Sequence, residues 1–104
     1  MDILYDRSGN MLKVALRGEL DESCADRVRD SLDRNILLSD ARRIVFDLSR
    51  LSFMDSSGIG VLVGRYRKFS ARSVAFFISS PNATVDKVLR LSGIYTIMPA
   101  IDIA

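Results

Sequence analysis

Histidine is missing from this sequence altogether, tryptophan is missing too, and there is one cysteine, Cys24. Without histidine there is no Ser-His-Asp triad, no Cys-His nucleophile pair and no histidine-based metal site. A single cysteine closes no internal disulfide, which points to a reducing, cytoplasmic setting. No apolar stretch approaches the ~18 residues that a membrane-spanning helix needs. The first residues, Met1-Asp2-Ile3, lack the basic region and apolar run of a secretion signal. Nor is there an excess of one charge: 15 Lys and Arg stand against 13 Asp and Glu, interspersed, for a net +2. That balance argues against a nucleic-acid partner. Arg42-Arg43 and the group Arg65, Arg67, Lys68 and Arg72 are the local basic excesses, and they read as solvated faces.

What is present suits one compact domain over residues 1–104, with 48% apolar and 27% charged residues. A short strand at 3–5 and an alternating strand at 11–17, with Leu12, Val14 and Leu16 on one face, flank the turn Ser8-Gly9-Asn10 and predict a hairpin. Gly18-Glu19-Leu20-Asp21 breaks that alternation. From about Ser23 the apolar period turns helical through Cys24/Ala25, Val28, Leu32 and Ile36, with Asp21, Glu22 and Ser23 placed as caps or dipole partners.

Residues 43–48 predict a buried strand, and the next seven residues, SRLSFMD, a loop whose Phe53 and Met54 anchor it in the core. A second helix follows, with Ile59, Leu62, Val63, Tyr66 and Phe69 as its stripe. Gly60 and Gly64, one turn apart, suggest close approach of that helix to the sheet. Residues 73–78 predict another strand. Ser80-Pro81 predicts the cap of a third helix carrying Val85, Val88 and Leu89 and stopped by Gly93. Residues 94–98 predict a last strand. Strands alternating with helices after residue 11 make this an α/β domain with several parallel strands.

The chemical content lies in residues 53–66, FMDSSGIGVLVGRY. Asp55, Ser56 and Ser57 fall between a strand and a helix, where α/β proteins gather functional loops. One of the three is enough to cap a helix, which leaves two hydroxyls to be explained. No G-x-x-x-x-G-K-[ST] phosphate loop is present, and the glycines 58 and 60 lie inside the helical pattern. With no histidine to act as base, nucleophilic catalysis by serine is disfavoured.

This stretch resembles the signature of the sulfate transporter and anti-sigma factor antagonist (STAS) domain, and within that family the sporulation sigma-F type of antagonist. GELD at 18–21 and LSGIY at 91–95 match two further family motifs in the same order. The resemblance covers nearly the whole chain. It implies an α/β STAS fold, a mixed sheet of four to five strands flanked by three to four helices. It implies that Ser56 is a phosphate acceptor, and that Asp21, Asp55, Ser57 and Gly58 face a partner.

The partner so implied is an anti-sigma factor that is itself a serine kinase. It would be bound by the unphosphorylated protein and released on phosphorylation, with a serine phosphatase resetting the cycle. The protein would then be no enzyme. It would carry no cofactor or metal, stay off membranes and be monomeric when free. Ser57, where stress-response relatives often carry threonine, leans to the sporulation branch. The alternative is a STAS regulatory module that is not phosphorylated and senses a nucleotide. Arg65 and Arg67 are read as solvated or partner-pairing, and Cys24 as a small core residue.

Overall fold

The computed structural model describes residues 1–103. Strand β1 (Asp2–Ser8) turns at Gly9-Asn10 into β2 (Met11–Leu20), an antiparallel hairpin as the alternation predicts. Helix α1 (Ala25–Ser39) leads to β3 (Arg43–Met54), α2 (Ser56–Phe69) to β4 (Ala75–Ser79), and α3 (Ala83–Ser92) follows. The sheet order is β1-β2-β3-β4, with β2, β3 and β4 parallel. This is a mixed four-stranded sheet with three α-helices, at the lower bound of the expected range for each. Short 3₁₀ turns occupy Ser70–Arg72 and Ile94–Thr96.

The core lies between one face of the sheet and the helices. Leu12, Val14 and Leu16 of β2, Ile44, Phe46 and Leu48 of β3, and Phe76 and Ile78 of β4 are buried with Val28, Leu32 and Ile36 of α1 and Leu62 of α2. Period two on the strands and period three to four on the helices converge on the same volume. Val85 and Leu89 of α3 join it, and Gly93 ends that helix in the left-handed conformation at φ +76°. The hydroxyl and carboxamide rules sort the caps differently from expectation. Asn82, not Ser80, caps α3: its Oδ1 accepts from Val85 N at 2.8 Å while its Nδ2 donates to Leu51 O.

Four further expectations change. The stretch 49–54 continues β3 instead of forming a loop. Its register against β2 slips between Ala15 and Arg17 and again between Gly18 and Glu19, each time with an extra residue on β3. Such bulges spoil the period of two. They leave Leu48, Leu51 and Met54 buried at a spacing of three.

Residues 94–98 do not form a strand: Ile94–Thr96 make a 3₁₀ turn, and Ile94 and Met98 are both buried in the core. The pairing with β4 comes later: Ile78 N donates to Pro99 O, and Ile101 N donates to Ile78 O. Gly60 and Gly64 do not permit close packing, since a β-carbon on either meets nothing within 4 Å. Arg65 is buried at 6% exposure between α1 and α2, not solvated. Its Nε lies 2.8 Å from Asp33 Oδ1, a contact without aligned hydrogen-bond geometry, and Lys68 Nζ holds the other oxygen at 3.0 Å.

Candidate functional site

Two strand-to-helix junctions lie side by side at the carboxyl ends of β2 and β3. Leu20 and Met54 are register partners, and Asp55 N donates to Leu20 O at 3.4 Å. The residues that follow, Asp21 on one strand and Asp55 on the other, therefore emerge at the same edge of the sheet. The structure brings together the segments that the sequence leaves 34 positions apart.

Asp55 is the N-cap of α2, in extended conformation, and its Oδ1 accepts from Ser57 N at 2.9 Å and Gly58 N at 3.3 Å. Two of the four unpaired N–H groups at the helix start are thus satisfied by one carboxylate. Ser56 is the first helical residue and is exposed. Among the described residues, neither its hydroxyl nor its N–H has a hydrogen-bond partner. Ser57 is half-buried and its hydroxyl is equally unengaged. The capping role belongs wholly to Asp55, which leaves both serine hydroxyls unspent.

Gly58 is buried in the first turn of α2. A β-carbon there would lie 2.7 Å from Met54 Cγ and 3.0 Å from both Leu20 Cγ and Leu20 O. The close approach seen at Gly58 is to the ends of its own strands, so it seats α2 there.

Asp21 does not cap α1. Its Oδ1 accepts from Ser23 Oγ at 2.6 Å and Ser23 N at 3.0 Å, and Cys24 stands at the N-cap position with no side-chain bond to the helix. Hydrogen bonding from Ser23 holds the Asp21 carboxyl below its ordinary range, against a smaller opposing effect of burial. The Cys24 thiol is buried and donates to Glu19 O and Asp21 O, as befits a small core residue.

One surface residue at this edge escapes the sequence reading. Phe53, expected in the core, is 40% exposed on the strand end just before Asp55, while Met54 alone is buried. The β3 bulges decide which of the two points inward, and no sequence period marks them.

Along the two junctions the charge has one sign. Neither junction, residues 20–25 nor 54–59, contains a lysine or arginine, whereas Asp21, Glu22 and Asp55 are all there. A negative group on Ser56 would stand next to the Asp55 carboxylate, at the N-terminus of α2. Among the described residues no cluster of three or more His, Cys, Asp or Glu is arranged to hold a metal ion, and no helix is long and apolar enough to cross a membrane.

A strand-end Asp-Ser-Ser-Gly seated at a helix N-terminus on a four-stranded mixed sheet has a match among known families. The model of the STAS domain aligns with residues 2–102. The chain belongs to the STAS family. Within it, the chain is 36% identical over 102 residues to an anti-sigma F factor antagonist of Paenibacillus polymyxa, covering 98% of this chain and 87% of that one. It is 35% identical over 81 residues to the anti-sigma F factor antagonist of Lysinibacillus sphaericus, covering 78% and 69%.

Among solved STAS structures, the anti-sigma factor antagonist SpoIIAA in its unphosphorylated form superposes with a TM-score of 0.83 at 29% identity, over 99% of this chain and 89% of that one. The phosphorylated form of the Bacillus cell fate determinant SpoIIAA superposes at 0.75 and 28%, over 99% and 92%.

Proposed function

We propose that this STAS domain is an anti-sigma factor antagonist switched at Ser56. Unphosphorylated, it binds an anti-sigma factor and so frees a sigma factor. That partner, acting as a serine kinase, then transfers the γ-phosphoryl group of ATP to Ser56 Oγ, the hydroxyl proton leaves, ADP is released and the complex parts. A separate serine phosphatase restores the hydroxyl. The domain performs no chemistry of its own; it supplies a displayed acceptor. The observation that carries this reading is the free, exposed hydroxyl of Ser56 at the first position of α2, whose neighbour Asp55 has taken over the capping.

The physics of the switch follows from the site. A phosphoserine carries roughly −1.5 to −2 charges at neutral pH. The unpartnered Ser56 N–H and the positive end of α2 accommodate it, so the fold tolerates the modification. A carboxylate of the partner, or of Asp21 and Asp55, does not. Two unit charges ~4 Å apart repel by ~1 kcal/mol in water and ~4 kcal/mol at an effective dielectric of 20. Each ~1.4 kcal/mol is a factor of ten in affinity. Asp21, Asp55, Ser57 and the exposed Phe53 form the surrounding contact surface in this reading. The likeness to the anti-sigma F factor antagonists supports a sporulation-type circuit.

Incubation with the cognate anti-sigma factor and Mg-ATP, followed by intact mass and site mapping, tests the proposal. One phosphate on Ser56 is expected. Ser56→Ala takes up none yet still binds, and Ser56→Asp binds at least about tenfold more weakly. A phosphate on any other residue, or a Ser56→Asp variant that binds as tightly as the native protein, overturns it.

A further inference from the structure

The opposite pole of the molecule carries a surface that the switch does not use. Helices α1 and α2 run parallel and end together there, and a groove of about 370 Å³ opens between them. Its floor is Leu37 and Phe69, and its rim carries Arg34, Lys68 and Arg72. Leu37 is 54% exposed and the adjacent Leu38 77%, two large apolar side chains in succession at a helix end. The guanidinium of Arg72 and the ammonium of Lys68 both lie within 6 Å of the Phe69 ring, at 5.9 and 5.8 Å.

The charges of this groove are not self-cancelling. Asp33 is committed inward to Arg65 and to Lys68. Asp30 is the remaining acid of the lining, while Arg34 and Arg72 enter no ion pair among the described residues. Nearby Arg42, whose Nη1 donates to the Arg72 carbonyl at 3.0 Å, adds to the positive charge of this rim.

The geometry points to a docking groove for an acidic amphipathic helix of a partner protein, one that seats a bulky apolar side chain on Leu37 and Phe69 and offers carboxylates to Arg34 and Arg72. Helix-in-groove recognition asks for this combination of an apolar floor and flanking charge. A nucleic acid has phosphates for the rim but nothing aliphatic for the floor. A second copy of this chain, placed by a two-fold axis, brings the same net positive lining to both sides of the contact.

Ser56 begins the 14-residue helix that Phe69 ends, so the two surfaces are about 20 Å apart. That exceeds the ~8 Å over which a charge is felt through physiological salt. Occupancy of the groove is therefore independent of the phosphorylation state.

Fluorescence anisotropy of the full-length protein with a labelled helical peptide of about five turns, bearing a leucine and phenylalanine stripe flanked by glutamates, tests this. Saturable binding is expected, with amide shifts in the NMR spectrum centred on Leu37, Phe69 and Arg72. Joint R34E and R72E weaken it at least about tenfold, while Ser56→Asp changes it less than about twofold. The same peptide with lysines for glutamates does not bind. Failure of the acidic peptide to saturate, equal binding of the lysine peptide, indifference to R34E and R72E, or displacement by a thymidine oligonucleotide each overturns the proposal. So does a dimer in sedimentation that Leu37→Glu converts to monomer, which assigns the groove to a second copy.

Discussion

The two junctions at the sheet edge use the same residue types to opposite ends. After β2 comes Asp21-Glu22-Ser23, and after β3 comes Asp55-Ser56-Ser57. In the first, the aspartate turns back on the hydroxyl two residues on, Ser23 Oγ at 2.6 Å, and the helix that follows starts without a side-chain cap. In the second, the aspartate ignores the hydroxyls and takes two helix N–H groups. One junction thereby ties up its serine, and the other leaves two serines free. An aspartate-serine pair is not a site in itself; the site is made by which donor the carboxylate chooses. What biases the choice is how closely the helix is seated on the strand ends. At α2 the seat is tight, because Gly58 lets the first turn descend onto Leu20 and Met54.

Removing that seat has the largest expected effect. In Gly58→Ala the new methyl carbon falls 2.7 Å from Met54 Cγ and 3.0 Å from the Leu20 carbonyl oxygen, and the carbonyl cannot swing aside as a side-chain end can. Overpacking of this kind costs typically about 1–3 kcal/mol. Urea unfolding should show a lowered midpoint with little change in slope. The first turn of α2 should lift, and Ser56 should become a poorer acceptor even where the protein is fully folded. The same substitution at Gly60, where nothing lies within 4 Å, should be neutral or stabilising. Equal losses at the two glycines would break the link between seating and acceptor geometry.

How much of this was legible in the sequence depended on whether a period survived. Leu12, Val14 and Leu16, and Val28, Leu32 and Ile36, announce a strand and a helix because nothing interrupts them. The end of β3 is illegible because two bulges put Leu48, Leu51 and Met54 three apart, and Phe53 goes outside for the same reason. Arg65 reads as surface because arginine usually is; its burial depends on Asp33, 32 positions away and a helix apart. Residues 94–98 have the composition of a strand, but composition does not distinguish an edge pairing from a 3₁₀ turn plugging the core. At the site, Asp55, Ser56 and Ser57 stood out by their type and place. Which of them caps, and that Gly58 looks inward, are matters of distances between segments.

Removing the cap comes next in size. Asp55→Ala leaves Ser57 N and Gly58 N without their shared acceptor. Loss of such a cap costs typically about 1 kcal/mol. The structure adds a second consequence: the start of α2, where Ser56 stands, loses the carboxylate that ties it to the strand end. Phosphate uptake at Ser56 should therefore fall by more than the loss of stability accounts for. Asp55→Asn, which keeps a capping oxygen, should restore stability almost fully, and thermal unfolding of the two variants beside a kinase assay separates the effects. At α1, where no side chain caps the helix, Asp21→Asn should leave stability nearly unchanged. A loss there equal to that at Asp55 would erase the distinction between the junctions.

The smallest expected effect is a displaced titration. The Asp21 carboxyl is held below its ordinary value chiefly by the hydrogen bond from Ser23 Oγ, which favours the charged form. Since its folded value lies below its unfolded one, this contact contributes stability above the unfolded value. The contribution is lost as pH falls through the folded value. Asp21 sits near water, so the effect is a matter of position on the pH axis more than of energy. Ser23→Ala removes the leading cause, and an NMR titration of the Asp21 carboxyl should then move upward, towards the ordinary aspartate range. Ser57→Ala is the matching change at the other junction, where Asp55 bonds the serine's N–H and not its hydroxyl, and it should leave the thermal unfolding midpoint nearly where it was. A clear loss of stability there would mean that the Ser57 hydroxyl is engaged in solution, and the second junction would then hold one free serine in place of two.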